Sequence, residues 1–118
     1  MNANDILEIR EPKRFIEDAE NFVKELNKDK YGKLRKNIST SQLRKIYDAI
    51  ICVKNYDSAE LYLIKPKLAY LRGRNQIPKN FVDKINGLID SIEKKEHLVN
   101  FQKYMGAVVA YNKEYGKD

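Results

Sequence analysis

The clearest fold signal in the chain is the stretch ISTSQLRKIYDAI, residues 38–50. It opens with a helix start, because the hydroxyl of Ser39 can accept a hydrogen bond from the backbone N–H of Gln42 as an N-cap. Ile38 and Leu43 flank this cap at the two positions of a hydrophobic staple. Apolar residues then recur at helical spacing, so the stretch predicts an α-helix with one buried face that fades near residues 55–57.

The same helical spacing recurs on both sides of this stretch, and no segment alternates apolar and polar residues as a half-buried strand would. Pro12 suits the first turn of a helix, and residues 1–12 are expected to form an arm or a short extra helix. Pro66 falls inside an apolar stripe, where it either kinks the helix or stands in the first turn of a new one. The further predicted helices cover about residues 12–26, 58–74, 78–94 and 98–116. The sequence therefore predicts an all-α fold, a compact single-domain bundle of five to six helices over residues 1–118.

Length and composition fit one globular domain. The chain has 118 residues, of which 42% are hydrophobic and 34% are charged, so a core can form under a heavily charged surface. No apolar run approaches the ~20 residues that cross a bilayer, and the first residues do not resemble a signal peptide. The single cysteine excludes an intrachain disulfide framework and favours a reducing, cytoplasmic setting. We expect no membrane partner.

Composition also argues against catalysis. His97 and Cys52 are the only histidine and the only cysteine, too few for a zinc site built from nitrogen and sulfur ligands. Cys52 follows an apolar run, which favours a buried and inert thiol. The five glycines are scattered, so no phosphate-cradling loop is present. We therefore predict a protein that is not an enzyme and has no cofactor, metal or small-molecule substrate.

The positive charge of the chain is concentrated in its centre. The net charge is +6, yet residues 1–30 carry 6 basic and 8 acidic side chains, and residues 80–118 carry 6 of each. Residues 31–79 carry 11 basic and 3 acidic side chains, a balance of +8. Uncompensated positive charge repels itself and is relieved by an anion, and phosphate neutralisation is the largest sequence-independent term in nucleic-acid binding. This basic centre, residues 31–79, favours a nucleic-acid partner over an acidic protein surface or a merely solvated face.

Helical geometry arranges part of this charge. If residues 58–74 form one helix, Lys67 and Arg74 fall within about 20° of each other, as do Lys65 and Arg72. The two pairs lie about 80° on either side of the apolar stripe, so the helix has two basic edges. Tyr70 lies beside the first edge, where it can stack on a base or ribose or be half-buried in the bundle. Contacts to the backbone with weak sequence preference are expected.

Two alternatives remain at this point. The first is a helix-turn-helix DNA-binding protein with residues 41–54 or 66–74 as recognition helix, although the short turn of that motif is missing. The second is a structural helical adaptor that binds an acidic protein.

Three blocks of the sequence resemble one family, the small helical subunit of type III-A (Csm) CRISPR effector complexes. TSQLRKI at residues 40–46 resembles its T-S-Q-I/L-R element, and LIKPKLAYLRGR at residues 63–74 resembles its L-K-P-K-L-A-Y-x-x-G-R block. VVAYNKEYG at residues 108–116 is similar to its ending, L-V-A-Y-H-K-F/Y-Y-G. The departures are slight: Ile64 replaces a common leucine, and Asn112 stands where a histidine is frequent.

The resemblance implies a non-catalytic subunit of an RNA-guided antiviral ribonucleoprotein. Several copies would stack beside the backbone subunits that hold the CRISPR RNA, along the channel where target RNA pairs with the guide. CRISPR RNA, target RNA, backbone and large subunits and neighbouring copies of the chain are the implied partners. Family positions predict RNA contacts by Arg44, Lys65, Lys67, Tyr70 and Arg74, and charge and geometry add Lys45, Lys54 and Arg72. The sequence leaves open the copy number, the oligomeric state of the free protein, the choice between guide and target, the choice between Lys65 and Lys67, and the role of residues 1–30.

Overall fold

A computed structural model describes residues 1–117, so Asp118 of the predicted domain lies outside the described residues. These residues contain seven α-helices and no β-strand. The helices are α1 (Ala3–Glu8), α2 (Pro12–Leu26), α3 (Thr40–Ile51), α4 (Ala59–Tyr62), α5 (Ile64–Gly73), α6 (Lys79–Ser91) and α7 (Lys95–Tyr115). Only Leu63 separates the four-residue α4 from α5; with the two counted as one helical segment the described residues contain six, and the predicted all-α bundle of five to six helices is confirmed.

Local sequence signals set the helix boundaries. Asn2 caps α1 with a reciprocal capping box to Asp5, so the segment before Pro12 contains a short helix. Pro12 is the first residue of α2, as predicted. The hydroxyl of Ser39 accepts a hydrogen bond from the backbone N–H of Gln42 at 3.4 Å, which confirms the N-cap of α3. Pro66 is the third residue of α5, so the chain starts a new helix there rather than bending an old one.

The long helix α7 is the centre of the bundle. It packs against α1, α2 and α3, and its face through Leu98, Phe101, Met105 and Val108 is buried. The predicted apolar stripes of the other helices join the same core. Ile16 was expected to widen the apolar stripe of α2 but lies at its outer margin and is 43% exposed.

The helix α5 lies at the periphery, where it packs against α3 on one side and α6 on the other. It buries Ile64 and Leu68 and leaves Pro66, Lys67 and Tyr70 exposed. The most basic helix of the chain thus bridges two neighbours and keeps its outer surface free.

A buried polar cluster ties the end of α7 to the start of α3. The side-chain amide of Asn112 donates hydrogen bonds to Ile38 O and Thr40 Oγ1, both at 2.9 Å, and its oxygen accepts one from Asn27 Nδ2 at 2.9 Å. Asn27 and Asn112 are fully buried. Lys117 N–H donates to Ile38 O at 3.0 Å, so the residue that follows Gly116 also contacts the segment just before α3.

The structure corrects the expectation for Cys52. Cys52 is exposed, because it is the C-cap of α3 and follows the last buried residue of that helix, Ile50, by two positions. The apolar run before it is buried only on the face through Ile46 and Ile50. Among residues 1–117, no helix is both long and apolar enough to cross a membrane.

Candidate nucleic-acid interface

At least half of the twelve basic side chains outside the basic centre pair with neighbouring carboxylates. Such pairs occur along α1 and α2 and across the bundle between α2 and α6. The pairs are Arg10–Asp5, Arg14–Glu11, Lys24–Glu20, Lys28–Glu25, Lys84–Asp18 and Lys94–Glu8. The surface formed by these parts of the chain is therefore an ordinary mixed-charge surface.

The basic centre differs in this respect. Of its eleven basic residues, Arg35 pairs with Asp29 and Lys65 pairs with Asp90. Within residues 1–117, the other members have no carboxylate partner. These members are Lys33, Lys36, Arg44, Lys45, Lys54, Lys67, Arg72, Arg74 and Lys79. The charge imbalance in the sequence is thus an imbalance in space as well.

A groove between α3 and α5 brings three of the predicted site residues together. Lys45 of α3 lies on one wall, and Lys67 and Tyr70 of α5 lie on the other. The groove has a volume of about 460 Å³, and its remaining lining is apolar. Those apolar residues are Ile46, Ala49, Ile64, Pro66 and Leu71.

Tyr70 and Arg74 form a single unit at the end of this groove. Arg74 Nη1 donates a hydrogen bond to Tyr70 Oη at 3.0 Å, and its guanidinium carbon lies 5.7 Å from the ring centroid. Tyr70 is 63% exposed, so the half-buried alternative does not hold. The contact holds the guanidinium over the tyrosine while its other donors face solvent.

The second basic edge of α5, with Lys65 and Arg72, faces α6. Arg72 lines a depression between these helices together with Lys79, the first residue of α6. Lys65 belongs to the same edge, but its Nζ donates a hydrogen bond to Asp90 Oδ1 of α6. Lys65 is thus partly neutralised whereas Lys67 is not, which favours Lys67 as the free cation of this helix.

Two predicted site residues lie apart from the groove. Arg44 is exposed on α3 but about 100° around the helix axis from Lys45, and Lys54 is exposed in the segment after α3. Neither lines the α3–α5 groove. Sequence reasoning counted Lys79 in the charge but did not name it as a site residue, because its position next to Arg72 depends on how α5 and α6 pack.

The chemistry of this interface is that of anion binding. Its polar groups are ammonium, guanidinium and phenol donors, and neither carboxylates nor His97 line the groove. The residues of the helices whose pKa values are perturbed lie outside this interface. A hydrogen bond from His97 holds the pKa of Glu8 below its usual range, and burial together with the Asp18 carboxylate raises the pKa of Tyr104. Within residues 1–117, no cluster of three potential metal ligands is present.

Comparison with known proteins gives the family. A family model described as Csm2 Type III-A matches residues 10–118. The chain belongs to this family. It is similar to a protein of Streptococcus thermophilus described as "CRISPR system Cms protein Csm2", with 29% identity over 114 residues that cover 86% of this chain and 91% of that protein. No solved structure matches the chain.

The family membership confirms the resemblance noted in the sequence. The chain is a small subunit of a type III-A CRISPR complex, and other subunits of that complex are its partners. The match starts at residue 10, so it also covers all of α2, for which the sequence motifs gave no resemblance.

Proposed function

We propose that this small subunit binds the backbone of guide or target RNA through the basic centre, residues 31–79, and has no catalytic role of its own. Copies of the chain stack along the complex, next to the backbone and large subunits, in the cytoplasm. The α3–α5 groove and the adjoining first basic edge of α5, with Lys67 and Arg74, form the main contact surface.

The observation that carries this proposal is the absence of local neutralisation. Nine of the eleven basic side chains between residues 31 and 79 lack a carboxylate partner within residues 1–117, whereas six of the twelve elsewhere form the pairs given above. A protein surface that keeps unpaired cations together gains most from a polyanion, because the polyanion releases its counterions when it binds.

The groove itself supports a backbone ligand. Lys45 and Lys67 stand on opposite walls, so a phosphate between them would meet a cation from each helix. Tyr70, with Arg74 held over its ring, adds an aromatic surface and guanidinium donors at one end. Such groups recognise phosphate and ribose without reading the base edges, as a subunit that handles guides of any sequence requires.

The helix-turn-helix alternative is not favoured. That motif joins its two helices by a turn of about three to four residues. Residues 27–39 separate α2 from α3, and Leu63 alone separates the four-residue α4 from α5, so neither candidate recognition helix follows such a turn. The adaptor alternative uses the same cations and is distinguished by experiment.

The proposal is tested by measuring how RNA affinity depends on salt. The variant Lys45→Gln/Lys67→Gln removes two groove cations, and Lys13→Gln/Lys103→Gln removes two exposed cations outside the basic centre as a matched control. Each lysine that neutralises a phosphate contributes roughly 0.7 to the slope of log affinity against log salt for a single strand, so the groove variant should lower the slope by about 1.4. The control variant should leave the slope nearly unchanged.

Equal slopes for the groove variant and the control variant would contradict the proposal. A marked preference of the wild-type protein for one duplex DNA sequence over RNA would contradict it as well and would favour the helix-turn-helix alternative.

A further inference from the structure

The segment of residues 28–37, here called the basic loop, joins α2 to α3 and is not part of the groove. Five of its residues are basic, and nearly all of its side chains are exposed. A loop of this composition is usually a mobile connection. This loop has an internal structure and two fixed ends instead.

Asp29 organises the turn inside the loop. Its Oδ1 accepts hydrogen bonds from the backbone N–H groups of Tyr31 at 2.8 Å and Lys33 at 3.0 Å, and its Oδ2 accepts one from Arg35 Nε at 3.1 Å. Asp29 N–H donates to Lys33 O at 2.8 Å. Gly32 completes the turn with φ of +78°, a conformation that side chains disfavour. The bond from Lys33 N–H, followed by those from Arg35 and Tyr31, lowers the pKa of Asp29.

Asn27 fastens both ends of the loop to the bundle. It is fully buried at the end of α2, and its Oδ1 accepts hydrogen bonds from the N–H groups of Asn37 at 3.0 Å and Ile38 at 2.9 Å. Its carbonyl oxygen accepts from Arg35 N–H. The side chains between these anchors are therefore held in one arrangement before any ligand arrives, which lowers the entropic cost of binding.

The side chain at the tip of this turn is an aromatic ring in solvent. Tyr31 is 77% exposed, more than any other large hydrophobic residue that the structure describes as exposed. Lys30 Nζ lies 5.2 Å from the ring centroid. Lys30, Lys33 and Lys36 have no carboxylate partner within residues 1–117. An exposed aromatic ring beside one unpaired ammonium group, in a loop with two more unpaired lysines, combines the stacking surface and the positive charge with which proteins bind single-stranded nucleic acid.

The end of the loop lies near the second basic edge of α5, the one that faces α6. Its last residue, Asn37, lines a shallow depression with Gln76 and Pro78. Pro78 in turn borders the depression that contains Arg72 and Lys79. The end of the loop at Asn37 and the α5–α6 edge thus both adjoin residues 75–78.

We propose that the basic loop binds an unpaired RNA nucleotide, with the base stacked on Tyr31 and the neighbouring phosphates neutralised by Lys30, Lys33 and Lys36. The inference rests on the proposed RNA-binding function and adds a second site with a different preference. In a duplex, both faces of each internal base are covered by its neighbours, so an aromatic ring has access only to unpaired or terminal bases. Cations alone would also suit an acidic protein, but the solvent-exposed ring beside them favours a ligand with a stackable face.

A fluorescence experiment tests this directly, because the chain contains no tryptophan. Tyr31→Trp places a single reporter at the loop tip, and Ile16→Trp places one at an exposed position of α2, outside the basic centre, as the control. Both proteins are titrated with an oligouridylate of about ten nucleotides, within the site sizes of single-strand binders, and with a fully paired RNA duplex of equal length. We expect saturable quenching of the Tyr31→Trp protein by the single strand, much less quenching by the duplex, and none in the control.

Affinity measurements with the otherwise unmodified chain give a second readout. Tyr31→Ala should weaken binding of the single strand by about tenfold, as expected for the loss of one base–aromatic stack, whereas Tyr31→Phe should retain most of the affinity. Since Tyr31 is so exposed, neither change threatens the fold. Unchanged fluorescence at saturating single strand, equal quenching by the duplex, or equal affinity of the alanine variant would each overturn the inference, and equal affinity would favour a protein ligand.

The outcome is separable from that of the proposed function. If the Lys45→Gln/Lys67→Gln groove variant lowers the salt slope while the tryptophan at position 31 does not respond, the groove proposal holds and the loop inference fails. If the tryptophan responds and the groove variant behaves as wild type, the loop inference holds and the groove proposal fails.

Discussion

The buried side chain of Asn112 gives the most quantitative prediction, first through its hydrogen bonds and then through its contact with Gly116. Asn112→Ala removes three buried hydrogen bonds, to Ile38, Thr40 and Asn27. At a net contribution of about 1 kcal/mol for each bond, the variant should lose about 3 kcal/mol of unfolding free energy. The cost should not be much larger, because Ile38 O still accepts from Lys117 N–H and Asn27 Nδ2 still donates to Val23 O.

Gly116 supplies the complementary half of this experiment. Its φ of −99° suits any residue, so only space restricts the position. A Cβ built on Gly116 would overlap the side-chain amide of Asn112, far inside van der Waals contact. Gly116→Ala should therefore cost about 1–3 kcal/mol as an overpacked site in the wild-type background. In the Asn112→Ala background that overlap is gone, and most of the cost should disappear.

The assay is denaturant unfolding of the four proteins of the double-mutant cycle. The account predicts that the double variant is more stable than the sum of the single effects implies, by at least about 1 kcal/mol, as for other residues in direct contact. Additive effects within about 0.5 kcal/mol, the behaviour of independent sites, would refute this reading of the contact. A change in the denaturant m-value would mean that the unfolded or native ensemble has changed, and the free energies would then be compared by calorimetry.

Three further predictions concern other parts of the molecule. Asp29→Ala should speed hydrogen exchange at the amides of Tyr31 and Lys33, because it removes the oxygen that accepts their hydrogen bonds. The pKa of Asp29 is lowered in the folded state, so in the wild type the protection of these two amides should decrease as pH falls through that lowered pKa. Unchanged exchange in the variant would contradict the role of Asp29. Tyr104→Phe should remove about 1 kcal/mol at neutral pH with the bond to Asp18. Because the pKa of the Tyr104 phenol is raised in the folded state, the wild type loses stability above about pH 10, and in alkaline melting curves this loss should be smaller in the phenylalanine variant, where the raised pKa of Tyr115 still contributes. Cys52 should react with a thiol reagent in the native protein as fast as in urea, and slow reaction in buffer would restore the buried-thiol prediction.

Helix positions could be predicted from the sequence because each depends on local information. The cap at Ser39, the proline at position 12 and the apolar stripe of α7 are short-range signals, and the structure confirms all three. Pro66 left two alternatives, because a proline three residues into a new helix and a proline at a kink have the same local sequence. The structure resolves the choice through the break at Leu63.

Burial at the ends and margins of helices could not be predicted in the same way. Cys52 and Ile16 both belong to apolar segments, yet the first lies past the last buried turn and the second lies beside the packed face of its helix. Whether such a residue is covered depends on which neighbour packs there, and that is a property of the whole bundle.

The candidate site was predictable in its charge but not in its pairing. The excess of cations in residues 31–79 and the two edges of α5 follow from composition and helical spacing. The salt bridge of Lys65 with Asp90 and the groove shared by Lys45 and Lys67 join residues more than twenty positions apart. The turn built by Asp29 is local, and its side-chain bonds to the next backbone N–H groups are typical of aspartate in turns, so that part of the basic loop could have been found.

The most direct test of the central claim is RNA crosslinking in the assembled type III-A complex. One complex is prepared with the wild-type subunit and a second with Lys67→Glu/Arg74→Glu in the first basic edge of α5. A third carries Lys13→Glu/Lys103→Glu, a control with the same change of charge. The account predicts that crosslinks from this subunit to RNA fall to a small fraction in the first variant and persist in the control, while both complexes assemble. Crosslinking that is unchanged in the Lys67→Glu/Arg74→Glu complex would contradict RNA binding by this surface and would leave it as a contact for an acidic protein.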